Sequence, residues 1–259
     1  MRNFILVFTK EARSYFNSPI AFVVVTVFTV LSGYYFYQIF ASFSTLSFQV
    51  QTDPMLANRY GALNVTEFVL RPFFGMLGVV LLIILPMLTM RSFSEEKKTG
   101  TIELLLTYPV KDIEVILGKF FGCMGILTLM LLLSIPCVAL IELFGNPEWG
   151  VVASGYFGLF LIGAAFISLG IFMSSLTENQ IIAAVLSFSA LLVLYLIGYS
   201  AGFAGETMSR VLEYISFTFH LRNFAKGVID SSDVMYYFIF TVFFLFLSMR
   251  SLESKRWRA

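Results

Sequence analysis

Apolar and polar residues along this chain are segregated over tens of positions, without the one-in-two alternation of a half-buried strand. Six apolar stretches are present, and most are long enough, at 1.5 Å per residue in a helix, to cross a hydrocarbon core of roughly 30 Å. Inside lipid only helices or closed barrels satisfy the hydrogen-bonding groups of the backbone, and the strands of barrels alternate between apolar and polar residues. We therefore predict transmembrane helices over residues 20–41, 69–90, 115–141, 151–173, 180–203 and 234–250.

Composition supports the same conclusion. Hydrophobic residues make up 58% of the 259 residues, charged residues make up 13%, and the mean hydropathy is +0.86. The predicted fold class is an all-α integral membrane protein of six transmembrane helices, with an N-terminal interfacial helix and a short cytosolic helix between the second and third spans. Membrane lipid is an expected partner and nucleic acid is not.

Residues 1–18 have the pattern of an amphipathic helix. Arg2, Lys10 and Arg13 cluster away from an apolar arc of about 120° on a helical wheel, which is typical of a helix lying on a lipid surface. The alternative is a cytosolic extension of the first span. The apolar arc consists of Phe4, Ile5, Phe8, Ala12, Tyr15 and Phe16.

The densest charged segment between two apolar runs covers residues 91–110. It begins just after Pro86, which can kink the end of the second span and act as a hinge. Gly100 interrupts the charged run, and Thr101 can cap a short helix that ends before Pro109, with Glu103 in its first turn. We predict a small helix lying across the membrane surface. The alternative is a solvated, positively charged flank.

The two longer connections differ in character. Residues 42–68 are polar and predict an extramembrane loop, partly helical. Residues 204–233 contain an apolar stretch too short to span, which predicts a pair of half-buried or re-entrant helices on the extracytoplasmic side.

Small residues and cysteines within the spans predict packing. Gly118 with Gly122, and Gly198 with Gly202, have the spacing of close helix contacts, although such pairs also occur by chance. Cys123 and Cys137 lie too far apart on one helix for a disulfide and are interpreted as buried packing residues.

Basic residues predict the orientation. Twelve of the 17 Lys and Arg residues fall at the two termini and in the connection between the second and third spans, and five fall on the opposite side. Basic residues concentrate in cytoplasmic segments, so both termini are expected in the cytoplasm.

The chain contains no phosphate-binding glycine motif ending in Gly-Lys-Ser or Gly-Lys-Thr. His220 is the only histidine and is interpreted as a solvated or helix-end residue. Almost no ionisable group lies in the spans apart from Lys119 and Glu142, at opposite ends of the third, which argues against a carrier coupled to protons or sodium. Without a nucleophile paired to a base or a set of metal ligands, an intramembrane enzyme is disfavoured.

The segment PMLTMRSFSEEKKTGTIELLLTYP at 86–109 resembles the first coupling helix of type-2 permeases of ATP-binding-cassette (ABC) transporters. VILGKF at 115–120, LTENQ at 176–180 and GVID at 227–230 extend the resemblance over most of the chain, and the gliding-motility-associated permeases are the most similar subfamily. The resemblance implies a single permease domain over 1–259. It implies hinges at Pro86 and Pro109, and contact with an ATPase through Glu95, Glu96, Lys97, Gly100, Thr101, Ile102, Glu103, Leu104, Leu105 and Glu178.

The same resemblance implies an exporter in a bacterial inner membrane. ABC ATPase subunits would bind ATP and magnesium, with no cofactor in this chain, and a second permease copy or a related permease would complete a dimer. The alternative is a non-transporting membrane anchor that transmits ATPase motion to an extracytoplasmic protein. The substrate is not indicated by any motif.

Overall fold

The structure, a computed structural model, describes residues 2–17, 19–60, 63–101, 111–142, 147–203 and 205–256. These residues form helices and connecting turns, with no strand among them. In chain order the helices are α1 (Arg2–Asn17), α2 (Pro19–Thr52), α3 (Pro54–Tyr60), a π-helix (Thr66–Leu70), α4 (Arg71–Thr89), α5 (Arg91–Lys98), α6 (Asp112–Glu142), α7 (Trp149–Leu176), α8 (Gln180–Ser200), a 3₁₀ turn (Ala201–Phe203), α9 (Glu206–Ile215), α10 (Phe217–Ala225) and α11 (Ser231–Arg256).

Six of the described helical segments are long and apolar enough to cross a membrane, which confirms the predicted number of spans. They are Pro19–Thr52, Thr66–Lys98, Asp112–Glu142, Trp149–Leu176, Gln180–Phe203 and Ser231–Ser254.

Several of these helices are longer than the predicted spans. The helix predicted over 20–41 continues to Thr52, and its 34 residues measure about 51 Å. Hydropathy identifies the part of a helix that suits lipid, whereas backbone hydrogen bonding continues into the polar residues beyond it. Part of the segment predicted as an extramembrane loop, 42–68, is therefore helical.

The fourth span, α7, is the central helix of the bundle. It packs against α4, α5, α6, α8, α10 and α11. In the most apolar window of α7, 72% of the residues are buried, compared with 17% in the corresponding window of the last span. Glycines on α7 permit this close packing, because a Cβ on Gly155 or Gly158 would overlap the ring of a phenylalanine from a neighbouring helix, Phe74 and Phe224 respectively.

Residues 205–233 contain two short helices with different surroundings. In α10, Phe217, Leu221 and Phe224 are buried against α7 and the ends of α4 and α8. In α9 no residue is fully buried. The buried side chains of the pair come from α10, whereas α9 contacts α8 without a fully buried residue. The position of the pair relative to a membrane stays a prediction.

The N-terminal helix α1 packs along α6, an arrangement that neither sequence-based alternative anticipated. A Cβ on Gly118 would lie 2.6 Å from Val7 Cγ1, and one on Gly122 would lie 3.2 Å from Glu11 Cβ. From their spacing, Gly118 and Gly122 were interpreted as a packing site between spans. In the structure the helix that packs against them is α1. In the second pair, Gly198 contacts Ser216 and Gly202 meets nothing within 4 Å.

We expect Gly118→Leu to displace α1 from α6 and to lower the free energy of unfolding by about 1–3 kcal/mol, the usual cost of overpacking. Gly125→Leu is the matched control, because a Cβ at Gly125 in the same helix meets no atom within 4 Å. Denaturant titration in mixed micelles measures both variants. Equal stability of the two would show that α1 does not depend on the close approach at Gly118.

Candidate functional site

An acid–base cluster joins α1, α5 and α6 at the end of the bundle where residues 91–101 lie. It consists of Glu11, Glu96 and Lys119. The Lys119 ammonium donates to Glu11 Oε1 at 3.0 Å and to Glu96 Oε1 at 2.9 Å. The lysine side chain is 2% exposed and the two carboxylates are 10% and 15% exposed.

The charges of this cluster do not balance within it. Two carboxylates face one ammonium, and among the described residues the exposed Lys10, 3.6 Å from Glu96 Oε1, is the other cation paired with them. The Phe93 ring lies 5.0 Å from the Lys119 nitrogen and covers it from the α5 side. Because a buried ion that loses its partner is strongly unfavourable, these three residues fix the relative positions of their three helices.

Tyr15 and Cys123 extend the contact between α1 and α6. The Tyr15 hydroxyl and the Cys123 sulfur are 3.0 Å apart and hydrogen-bonded. Burial raises the pKa of Tyr15 well above its usual range, with the neighbouring Cys123 contributing in the same direction. Tyr15 therefore stays neutral, and buried Cys123 has the packing role predicted for it. In the described residues no His, Cys, Asp and Glu side chains form a metal-binding group.

A serine joint connects α5 to the end of α7 and consists of Ser94, Lys97, Ser174 and Ser175. The Ser174 hydroxyl accepts from the backbone N–H groups of Phe93 and Ser94, at 3.0 and 3.1 Å. The Ser94 hydroxyl lies 3.0 Å from the Ser174 hydroxyl, and the Lys97 ammonium donates to the Ser175 carbonyl. Short hydroxyl side chains thus hold α5 directly against the central helix.

The serine joint argues against the alternative in which 95–98 form only a solvated, charged flank. Lys97 is 7% exposed and Glu96 is largely buried, whereas Glu95 and Lys98 are exposed. On a helix, neighbouring residues point about 100° apart, so a run of four charges cannot all face solvent when one side of the helix is packed.

A polar cavity of about 570 Å³ opens between α1, α5 and α6 beside the cluster. Its wall includes charged residues of both signs, which suits a polar partner surface better than an apolar one. The lining residues are Lys10, Glu11, Ser14, Tyr15, Arg91, Ser92, Glu95, Glu96, Thr99, Thr101 and Lys119.

The residues predicted to contact an ATPase fall into three groups. Glu95, Glu96 and Lys97 lie on α5, and Gly100 follows the end of that helix with φ +70°, a conformation that glycine adopts readily. Exposed Glu178 lies in the connection after α7, three residues from Ser175. The predicted residues Ile102, Glu103, Leu104, Leu105 and Pro109 lie outside the described residues.

The predicted hinge Pro86 is a buried residue within α4, three residues before that helix ends at Thr89. Helix α5 begins at Arg91, so only Met90 separates the two. The role of Pro86 as a hinge stays a prediction.

Sequence reasoning missed Glu11 and the pairing of Lys119. Lys119 lies in an apolar run, and an isolated charge in such a run requires a partner nearby. Glu11 is the only acid in α1. These two facts indicate a pair, although nothing in the local pattern places residues 108 positions apart in contact.

His220 is also corrected by the structure, since it is 2% exposed and not solvated. Its Nδ1 lies 2.5 Å from Asp233 Oδ1 and its Nε2 lies 2.9 Å from the Tyr214 carbonyl. Asp233 also accepts from Asn223 at 2.9 Å, and the Tyr236 ring stacks on the imidazole with centroids 4.1 Å apart. This cluster links α9, α10 and α11 at the end of the bundle opposite to the acid–base cluster.

A family model matches this chain. The family model described as ABC-2 family transporter protein matches residues 5–252, which is nearly the whole chain. No curated protein matches the sequence.

Proposed function

The chain belongs to the ABC-2 family of transporter proteins, and we propose that it is the permease of an exporter whose ATPase subunits contact it around α5. Membership of the family makes the chain a multi-pass membrane protein and the permease subunit of an ABC transporter, partnered by ABC ATPase subunits. The export direction and the contact residues are the proposed part.

The observation that carries this proposal is the double attachment of α5. The acid–base cluster ties α5 to α1 and α6, and the serine joint ties it to α7. The predicted contact residues begin on α5 itself, at Glu95, and continue beyond its end from Gly100 onwards. A displacement of these residues would therefore reach three neighbouring helices through buried, polar contacts.

The mechanism follows from these attachments. Closure of two ATPase subunits around ATP and magnesium moves segment 101–109. Helix α5 acts as a lever that passes this motion to α4, because the two helices are nearly continuous. Pro86 in α4 gives the lever a place to bend. The central helix α7 receives the motion through Ser174 and Ser175, and Glu178 after α7 gives the ATPase a second point of contact.

The remaining parts of the proposal follow from family resemblance and charge distribution. Both termini lie in the cytoplasm of a bacterial cell, the spans cross its inner membrane, and a second copy or a related permease completes a dimer. The gliding-motility-associated permeases are the subfamily proposed.

A second candidate is a membrane anchor that transmits ATPase motion to an extracytoplasmic protein. The observation favouring it is the length of α2, which at about 51 Å exceeds a hydrocarbon core of roughly 30 Å. Its distal part forms a cavity of about 410 Å³ with Val65 and Ile141. ATP hydrolysis stimulated by a small-molecule substrate supports the exporter, and stimulation by a protein alone supports the anchor.

The test is co-purification of the ATPase with a Glu103→Arg, Leu105→Asp variant, followed by ATP hydrolysis in lipid nanodiscs. We expect loss of most of the bound ATPase, because an opposite charge and a polar residue replace the acid and the leucine of the predicted contact.

The matched control is Glu206→Arg with Met208→Asp, which introduces the same two residues at the same spacing, in place of an acid and an apolar residue, on exposed α9. It is expected to retain the ATPase, since α9 lies at the opposite end of the bundle. Equal retention by both variants would contradict contact through 101–105.

A further inference from the structure

Two arginines line a small cavity at the end of the bundle opposite to the acid–base cluster. Arg71 begins α4 and Arg222 lies in the last turn of α10, and Tyr199 near the end of α8 closes the third side. The cavity measures about 170 Å³, several times the roughly 30 Å³ that one water occupies in the liquid. It can therefore hold a tetrahedral oxyanion.

The positive charge of this cavity is only partly compensated. Glu67 accepts from Arg71 Nη1 at 2.6 Å, and no carboxylate is among the residues lining the cavity. Arg71 Nε is buried without a hydrogen-bond partner in the described part of the chain. Arg222 is exposed and forms no ion pair with a described residue. An unpaired buried donor is unfavourable, so this site favours a ligand that accepts hydrogen bonds.

Two neutral groups of the cavity are already engaged. The Tyr195 hydroxyl donates to the Gly75 carbonyl at 3.3 Å, and the Thr218 hydroxyl donates to the Tyr195 carbonyl at 3.4 Å. The donors that line the cavity and can reach a ligand are the two guanidinium groups and the Tyr199 hydroxyl. Planar guanidinium groups bind phosphate oxygens through paired hydrogen bonds, and two of them on separate helices suit a group with several oxygens.

We propose that this cavity binds a phosphate ester group, carried either by a phospholipid headgroup or by the exported substrate. The cavity lies where α4 begins and α8 ends, and its rim carries exposed Tyr199, a residue type enriched at membrane interfaces. We therefore expect it at the depth of lipid headgroups. Its assignment to the extracytoplasmic side rests on the proposed orientation of the permease. The arginines hold the phosphate between α4, α8 and α10.

The experiment measures retention of labelled phosphatidylglycerol by the permease in phosphatidylcholine nanodiscs, and binding of labelled inorganic phosphate in detergent. The first variant, Arg71→Gln with Arg222→Gln, removes both charges. The second, Gly75→Leu, keeps both arginines and adds a large side chain at a residue that lines the cavity, where a Cβ meets no atom within 4 Å. The control, Arg210→Gln, removes an exposed arginine of α9 that pairs with Glu206.

Both test variants are expected to lose at least about tenfold in affinity, and the control is expected to match the wild type. Loss confined to phosphatidylglycerol identifies a lipid headgroup, and loss that includes inorganic phosphate identifies a phosphate group from a soluble source. Test variants that bind both probes within about twofold of the control would overturn the proposal. ATP takes no part in either assay, so failure here is distinguishable from failure of ATPase contact through 101–105.

Discussion

Replacing Lys119 by methionine is expected to lower the free energy of unfolding by about 3–5 kcal/mol. The change leaves Glu11 and Glu96 buried close together without the ammonium that both contact. Denaturant titration of the purified permease in mixed micelles measures the loss. The same variant should show weaker stimulation of ATP hydrolysis, since α1 and α6 are no longer fixed to α5.

Two further variants test whether the stability lost in Lys119→Met comes from the buried carboxylates that are left without a cation. Lys10→Met removes an ammonium that is 64% exposed and 3.6 Å from Glu96, so it should cost less than about 1 kcal/mol. Adding Glu11→Gln and Glu96→Gln to Lys119→Met removes the uncompensated charges and should recover much of the stability. If Lys119→Met and Lys10→Met were equally stable, the acid–base cluster would not hold the helices together.

Replacing His220 by leucine is expected to lower the free energy of unfolding by a similar amount, about 3–5 kcal/mol. The Asp233 side chain, 3% exposed, would keep only Asn223 as a partner, and the Tyr214 carbonyl would lose the imidazole N–H. Because the cluster links α9, α10 and α11, faster proteolysis within 205–230 should accompany the loss.

A double variant tests whether the pair or the packing matters. His220→Leu with Asp233→Leu removes both polar partners and is expected to be more stable than His220→Leu alone. Arg250→Leu is the control, because its pair with Glu253 is 61% and 35% exposed and should contribute less than about 1 kcal/mol. Additive effects of the two leucine substitutions would argue against an interaction between His220 and Asp233.

The membrane-spanning part of this fold was predictable because each span is a long, continuous run of apolar residues. A span needs about 20 apolar residues whatever it packs against, so the sequence reveals it without tertiary information. Helix ends were less predictable. In α2 the helix continues into Gln49 and Gln51, because backbone hydrogen bonds form in polar sequence as well as apolar sequence.

The polar contacts between helices were not predictable to the same degree. Lys119 could be recognised as an unusual charge, but its partners lie 23 and 108 residues away. His220 was interpreted as a solvated or helix-end residue because its local sequence is that of a loop, whereas it is buried and bonded to Asp233 at the start of α11. In each case the environment of the residue is created by helices that are distant in sequence, and a local pattern does not specify how those helices pack.

The order of the acid–base cluster along the chain has a consequence for how the protein is made. Glu11 and Glu96 both precede Lys119 in the chain, so the ribosome synthesises the two acidic residues before the lysine. A lysine that enters a bilayer alone is costly, but here its carboxylate partners are already synthesised when the third span inserts. We expect that α1 stays at the membrane surface during synthesis and packs against α6 only after the third span has inserted. Insertion of the third span would then be the step at which α1, α5 and α6 come into contact.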